Sequence, residues 1–156
     1  MRTSKQRLGS TKFIGAVALF SFLALWMANS VTALTLHSYA IINEDATLRI
    51  SGRTIHLYGI HIPSTGKSRA AVALKLKIQG FVHCEIIEKN KDRSVIALCR
   101  VNRTVFDEGD DLSAYLLKQG WALALQDAPF EYHALEKVAR HRHQGLWGGS
   151  VDNIRY

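Results

Sequence analysis

Residues 54–64 read Thr-Ile-His-Leu-Tyr-Gly-Ile-His-Ile-Pro-Ser, and this stretch decides the fold prediction. Its first part, 54–60, is rich in β-branched and aromatic side chains and is predicted to be a strand. A second strand is predicted at 47–50, and only Ser-Gly-Arg at 51–53 separates the two. A glycine-containing connection of this length predicts a β-hairpin.

The rest of the chain alternates strands and helices around this hairpin. Strands are predicted at 36–42, 82–88 and 95–101, and helices are predicted at 66–79, from Asp110 or Asp111 to Gly120, and from Pro129 to about His143. This order predicts an α+β domain, a five-stranded β-barrel of the OB type with three helices, although another α+β arrangement fits the same pattern. Because no linker or repeat interrupts residues 34–156, one domain is expected.

Residues 1–33 have the composition of a secretory signal. Four basic residues and no acid come first, an uncharged apolar run follows at 13–28, and Val31-Thr32-Ala33 provides a small-residue cleavage site. The apolar run has fewer than the roughly 20 residues that span a bilayer comfortably, so an uncleaved anchor is the alternative. We expect an exported protein, periplasmic or secreted, with no stable membrane span unless the signal stays attached.

The net charge of the whole chain is +7, from 20 basic and 13 acidic residues. Four of the basic residues belong to the signal, which leaves 16 basic against 13 acidic residues and a net charge of +3. A nucleic-acid-binding domain more often carries a strongly basic surface. Nucleic acid is therefore the less favoured partner.

The two cysteines are predicted to form a structural disulfide. An even cysteine count in an exported chain favours a bridge. If the turn at 89–94 is centred between Lys91 and Asp92, Cys84 and Cys99 lie opposite each other on neighbouring strands. A catalytic thiol pair is disfavoured, because no Cys-x-x-Cys spacing is present.

Several motifs together resemble the staphylococcal-nuclease-like (thermonuclease) family over residues 39–149. They are Leu57, Gly59, Ile60 and Pro63 in the opening stretch, the segment 111–124 (DLSAYLLKQGWALA), and then Tyr132, Glu136, Ala139, Arg140, Gly145, Leu146 and Trp147. The resemblance implies the OB-type barrel with its helices. Most of these residues suit packing and helix ends, so they indicate the fold more than the chemistry.

The same resemblance implies that the nuclease chemistry has been lost. The family uses calcium-binding carboxylates, a carboxylate beside the attacking water and two arginines on the phosphate. With Thr47 as the anchor, Ala46 and His61 stand at the two calcium positions and Ser64 at the glutamate position. His56 stands at the first arginine, and Arg93 corresponds to the second arginine or that residue is absent.

The resemblance therefore implies a pseudoenzyme of the short exported bacterial type, which acts as a binding or accessory protein. Such members include proteins associated with extracellular polysaccharide of the succinoglycan type, so a polysaccharide or protein partner is expected. No cofactor is expected, and calcium enters only with residual nuclease activity. The alternatives are a secreted endonuclease with a rearranged site of Arg93, His56 and Glu44, and a protein–protein interaction module.

A metal site is a further hypothesis for the histidines. His56 and His61 are five residues apart near a strand end, and His37 or His83 could complete a zinc site with them. Without cysteine spacing this is a weak signal. Surface or partly buried histidines are the simpler interpretation.

Overall fold

The structure, a computed structural model, describes residues 34–148. The predicted signal at 1–33 and the tail at 149–156 lie outside the described residues. The strands are β1 (Thr35–Tyr39), β2 (Ile41–Ile42), β3 (Leu48–Ile50), β4 (Arg53–Leu57), β5 (Ile60–His61), β6 (Phe81–Lys89), β7 (Val95–Val101), β8 (Asp110–Asp111) and β9 (Leu123–Ala124). The helices are α1 (Lys67–Lys77), α2 (Leu112–Lys118) and α3 (Phe130–His141), followed by a 3₁₀ turn at Gly145–Trp147.

The main sheet is mixed and strongly curled. Its strand order is β1-β6-β7-β4-β3-β2, with β8 added to β7, and β4 pairs with β7 in parallel while the other pairs are antiparallel. β1 and β2 lie at opposite ends of this order, yet only Ala40 separates them in the chain. The sheet must therefore bend round between its two edge strands, which gives a curled, half-barrel α+β fold compatible with the predicted OB type.

The strand count differs from the five that were predicted. The predicted strand at 36–42 is divided at Ala40, because its first half pairs with β6 and its second half with β3. The predicted strand at 54–60 is divided at Tyr58 and Gly59, where Gly59 has a φ of 72° and turns the chain. After this turn β5 leaves the main sheet and pairs with β9.

The predicted helices are present with shifted ends. α1 is shorter than 66–79, and α2 begins after Asp111, whose carboxylate accepts hydrogen bonds from the backbone N–H groups of Ser113 and Ala114. α3 ends at His141, two residues before the predicted end, and His143 then has a left-handed φ of 50°. None of the helices between residues 34 and 148 has the length and apolar character needed to cross a membrane.

Gly145 has a different role from the predicted helix stop. A Cβ on Gly120 would lie 2.3 Å from the carbonyl oxygen of Gln144, and one on Gly145 would lie 2.4 Å from that of Gly120. The N–H of Leu146 donates to the Gly120 oxygen at 2.8 Å. The two glycines thus let the segments after α2 and α3 approach backbone to backbone, which only residues without a side chain permit.

The core contains the predicted disulfide. Cys84 of β6 and Cys99 of β7 are directly opposite, fully buried and bonded. The register predicted from the turn holds between His83 and Ile86 and then shifts by one residue at a bulge around Ile87. A buried bridge is compatible with an exported protein.

Candidate functional site

Two loops of the barrel have the same sequence pattern and the same hydrogen bonds. They are Asn43–Thr47 before β3 and Asn90–Ser94 before β7, which read Asn-Glu-Asp-Ala-Thr and Asn-Lys-Asp-Arg-Ser. In each loop the first N–H donates to the last carbonyl oxygen at 2.9 Å. In each loop the fourth residue, Ala46 or Arg93, has a left-handed φ, of 64° or 71°.

The aspartate of each loop fixes the residue two positions later. Asp45 Oδ1 accepts from the N–H of Thr47 at 3.0 Å and from its hydroxyl at 2.7 Å. Asp92 Oδ1 accepts from the N–H and the hydroxyl of Ser94 at the same distances. The asparagine completes the motif, because Asn43 Nδ2 donates to the Thr47 hydroxyl at 2.8 Å and Asn90 Nδ2 donates to the Ser94 hydroxyl at 2.9 Å.

These hydrogen bonds also favour the ionised carboxylates. Desolvation acts to raise the pKa of Asp45, but the bonds from Thr47 and the charge of Lys67 together lower it. The hydrogen bonds from Ser94 are the main cause of the lowered pKa of Asp92, and His56 adds to the effect. One oxygen of each carboxylate is therefore committed to its own loop.

His56 lies between the two loops. It is exposed on β4 and is paired with Ile96 of β7, two residues beyond the second loop. A cavity of about 580 Å³ lies between His56 and the second loop. Its charged and imidazole side chains are Arg53, His56, Lys89, Asp92 and Arg93. Three of these five, Arg53, Lys89 and Arg93, are cations against the one carboxylate of Asp92, so the cavity favours an anion.

A second, smaller cavity of about 200 Å³ shares His56. Its polar lining comes from the first loop, through Asp45 and Thr47, and from His56, His61 and Lys67. Lys67 is the first residue of α1, whose first turn contains no acidic side chain. The positive end of the helix dipole adds to the positive charge of the lysine there.

The structure brings together most of the positions that the family resemblance selected. Ala46, His56 and His61 line the smaller cavity, and Arg93 joins His56 in the larger one. Ser64 is exposed in the loop before α1 and lines neither cavity. Glu44, which the rearranged-nuclease alternative requires, is exposed and also lines neither.

A metal ion has few ligands in this region. Across residues 34–148 no group of three or more His, Cys, Asp or Glu side chains is placed to hold one. The zinc hypothesis, which grouped His37 or His83 with His56 and His61, is wrong. His37 lies on β1 and His83 on β6, and their rings stack on each other with 3.8 Å between the centroids. His83 is opposite Arg100 and His56 is opposite Ile96. Ile96 and Arg100 are four residues, or about 13 Å, apart along β7, so the two histidines are far from each other.

Three cations of the site were not predicted from the sequence. Lys67 was assigned only to a helix, and neither Arg53 nor Lys89 was assigned to a binding surface. The repeated pattern Asn-x-Asp-x-Thr/Ser was visible in the sequence and would have linked the two loops. The position of Lys67 depends on where α1 begins in space, which no local pattern indicates.

Comparison with known proteins adds no identification. No protein-family model matches the chain, and no curated protein is significantly similar to it. The resemblance to staphylococcal-nuclease-like proteins therefore depends on the motifs described above.

Proposed function

We propose that this domain is a non-catalytic member of the nuclease-like OB fold that binds an anionic polymer at the two loops around His56. One observation carries the proposal. The cavity where the resemblance places calcium contains Lys67 and a single carboxylate, Asp45, one oxygen of which already accepts two hydrogen bonds from Thr47. This arrangement suits a bound anion better than a bound cation.

The ligand requirements of calcium support the loss of catalysis. Calcium takes six to eight oxygen ligands, most of them from carboxylates, carbonyls and water. Ala46 offers no side-chain ligand and His61 offers nitrogen, which a hard cation disfavours. Lys67 and the start of α1 would repel a divalent ion in the same cavity. The phosphodiesterase mechanism therefore lacks the ligand set for its metal, and His56 stands where the resemblance places its first arginine.

The balance of charge supports anion binding. Both carboxylates that line the two cavities, Asp45 and Asp92, have one oxygen occupied by their own loops. The cations that remain are Arg53, Lys89, Arg93 and Lys67. Each can donate charge-assisted hydrogen bonds to a carboxylate or ester oxygen of the ligand. Such bonds are stronger than hydrogen bonds between neutral groups.

The polymer that fits best is an acidic polysaccharide outside the cytoplasm. The disulfide suits an oxidising compartment, and the expected export signal has the same implication. The short exported proteins that the chain resembles suggest a role in extracellular polysaccharide production, of the succinoglycan type. Binding rather than cleavage would make this an accessory protein for the polymer.

The test is binding of oligogalacturonate, measured by isothermal titration at low salt. Arg93→Asn removes the charge while asparagine tolerates the left-handed backbone at this position. Lys91→Asn is the matched control, because Lys91 is exposed in the same loop and lines neither cavity. We expect Arg93→Asn to weaken binding about threefold to tenfold and Lys91→Asn to leave it nearly unchanged.

Two results would contradict the proposal. One is equal affinity of wild type, Arg93→Asn and Lys91→Asn, which would show that the loops do not hold the ligand. The other is robust calcium-dependent cleavage of single-stranded DNA by the wild type. Carboxyl-reduced oligogalacturonate is the ligand control and should not bind, since it has the sugar rings without the charges.

A protein–protein interaction module is a second candidate, and the loop after β7 favours it. Phe106 is 100% exposed and Val105 94% exposed. A hydrogen bond from the Thr104 N–H to the Asp107 carbonyl oxygen closes the turn beneath them. Phe106→Ser should reduce capture of a host-envelope protein to background and leave oligogalacturonate binding intact. Equal capture by wild type and Phe106→Ser would contradict this candidate.

A further inference from the structure

A third cavity adjoins the anion-binding site. It has a volume of about 830 Å³ and lies between β9 with the residues after it and α3. His61 lines both this cavity and the smaller cavity that contains Lys67. His56 in turn lines both the smaller cavity and the cavity of about 580 Å³ at the second loop. The three cavities therefore follow one another, with a shared histidine at each boundary.

The third cavity is also basic. Its lining includes His133, Lys137, Arg140, His141 and His143. Glu136 is its only carboxylate, is buried, and accepts hydrogen bonds from the N–H of Ala124 and from Arg140, both at 2.9 Å. Glu136 and Arg140 form an ion pair, and Glu136 also holds α3 to β9 through Ala124. Lys137 is the cation of this lining outside that pair, and the remaining titratable side chains are the four histidines His61, His133, His141 and His143.

We infer that the three cavities form one track for a linear polyanion, with successive acidic groups of one chain at the second loop, at Lys67 and beside α3. This inference rests on the proposed function and extends it from an anion site to a polymer-length surface. Charge complementarity along the whole track carries it, because each of the three cavities contains at least one lysine or arginine.

The lining favours an acidic polysaccharide over single-stranded nucleic acid. No Phe, Tyr or Trp of the described chain lines any of the three cavities. Proteins that bind single strands usually stack successive bases on aromatic rings. A polymer held by regularly spaced carboxylates needs only the cations.

The test uses oligogalacturonates of increasing length, with affinity measured by titration at fixed low salt. The variants are Lys137→Glu in the third cavity and Lys75→Glu, an exposed lysine on α1 that lines none of the three cavities. For wild type we expect affinity to rise with chain length until the track is filled. For Lys137→Glu we expect binding of the long oligomers to weaken about tenfold, binding of the shortest to stay unchanged, and Lys75→Glu to behave as wild type.

The outcomes separate this inference from the proposed function. The track is overturned if affinity does not depend on oligomer length and Lys137→Glu binds like wild type. The proposed function survives that result if Arg93→Asn still weakens the binding of every oligomer. Tighter binding of oligothymidylate than of oligogalacturonate at equal charge overturns the choice of polymer. If no oligogalacturonate binds at any length, the proposed function itself fails and the track fails with it.

Discussion

Asp45 and Asp92 perform the same structural task in two loops that lie on either side of His56. Each carboxylate accepts from the backbone N–H and the hydroxyl of the residue two positions later, at 3.0 Å and 2.7 Å. Both loops thereby hold a residue in the left-handed conformation, Ala46 in one and Arg93 in the other. Hydrogen bonds within each loop fix its conformation, and one oxygen of each aspartate is already used in those bonds.

Removing the Asp45 carboxylate should loosen the first loop. We expect Asp45→Ala to lower the free energy of unfolding by about 1–2 kcal/mol, because it removes two hydrogen bonds to an ionised but exposed carboxylate. Asp45→Asn should cost less, because an amide oxygen can accept the same two bonds. Urea unfolding with the disulfide intact measures both, and equal losses for the two variants would contradict this role of the carboxylate.

The same aspartates predict a loss of stability in acid. The pKa values of Asp45 and Asp92 are lower in the folded chain than the ordinary value of 3.8. The contribution of the two ionised carboxylates to the free energy of unfolding is therefore complete at pH values above 3.8. It is lost as the pH falls through the lower pKa of the folded state. The unfolding midpoint of wild type should fall at pH values below about 4. The Asp45→Asn, Asp92→Asn double variant should show a shallower drop, and an unchanged slope would contradict the assignment.

The disulfide should contribute much of the stability of this small domain. Cys84 and Cys99 are 15 residues apart. Closing a loop of this length contributes on the order of 3 kcal/mol in the chain-entropy model. Cys84→Ala, Cys99→Ala protein should be less stable by that amount in denaturant, and thiol labelling of unreduced, unfolded wild type should find no free thiol. Two labelled thiols per chain would contradict the bridge.

The fold was largely predictable because its strongest signals are local. β6 and β7 have clear strand patterns, and their turn set the register that pairs Cys84 with Cys99. The division of the strand at 54–60 was not predicted, because a lone glycine such as Gly59 is compatible with a strand until its φ is known. The role of Gly145 depends on contact with Gly120, which is a tertiary relation.

The candidate site was predicted less completely. Ala46, His56 and His61 were selected by resemblance to a family, and they line one cavity. Grouping His37 with His56 was wrong, because sequence distance says nothing about which strands of a curled sheet adjoin. Lys67 and Lys137 lie at the site through the placement of α1 and α3, and only the folded chain shows that placement.

Purified protein should lack calcium-dependent nuclease activity. Loss of one major electrostatic stabiliser of a transition state costs about 10²- to 10³-fold in rate, and the resemblance places Ala46, His56, His61 and Ser64 where the nuclease family has charged residues. Single-stranded DNA with millimolar calcium, at neutral and alkaline pH, is the assay. Changing Ala46→Asp, His56→Arg, His61→Asp and Ser64→Glu together should recover little cleavage while Lys67 stays in the smaller cavity, and adding Lys67→Ala should raise it. Cleavage by wild type that His56→Ala or Arg93→Ala abolishes would establish a rearranged nuclease instead.

The most direct measurement is a pair of NMR titrations of one ¹⁵N-labelled sample, first with calcium and then with oligogalacturonate, following the backbone amides of Asn43–Thr47 and Asn90–Ser94. Oligogalacturonate should shift the amides of both loops in a saturable way, because both lie beside the cations around His56. Calcium at millimolar concentration should leave them in place. Saturable calcium shifts at Asn43–Thr47, with no response to oligogalacturonate, would contradict the anion-binding function and indicate a calcium site at the first loop instead.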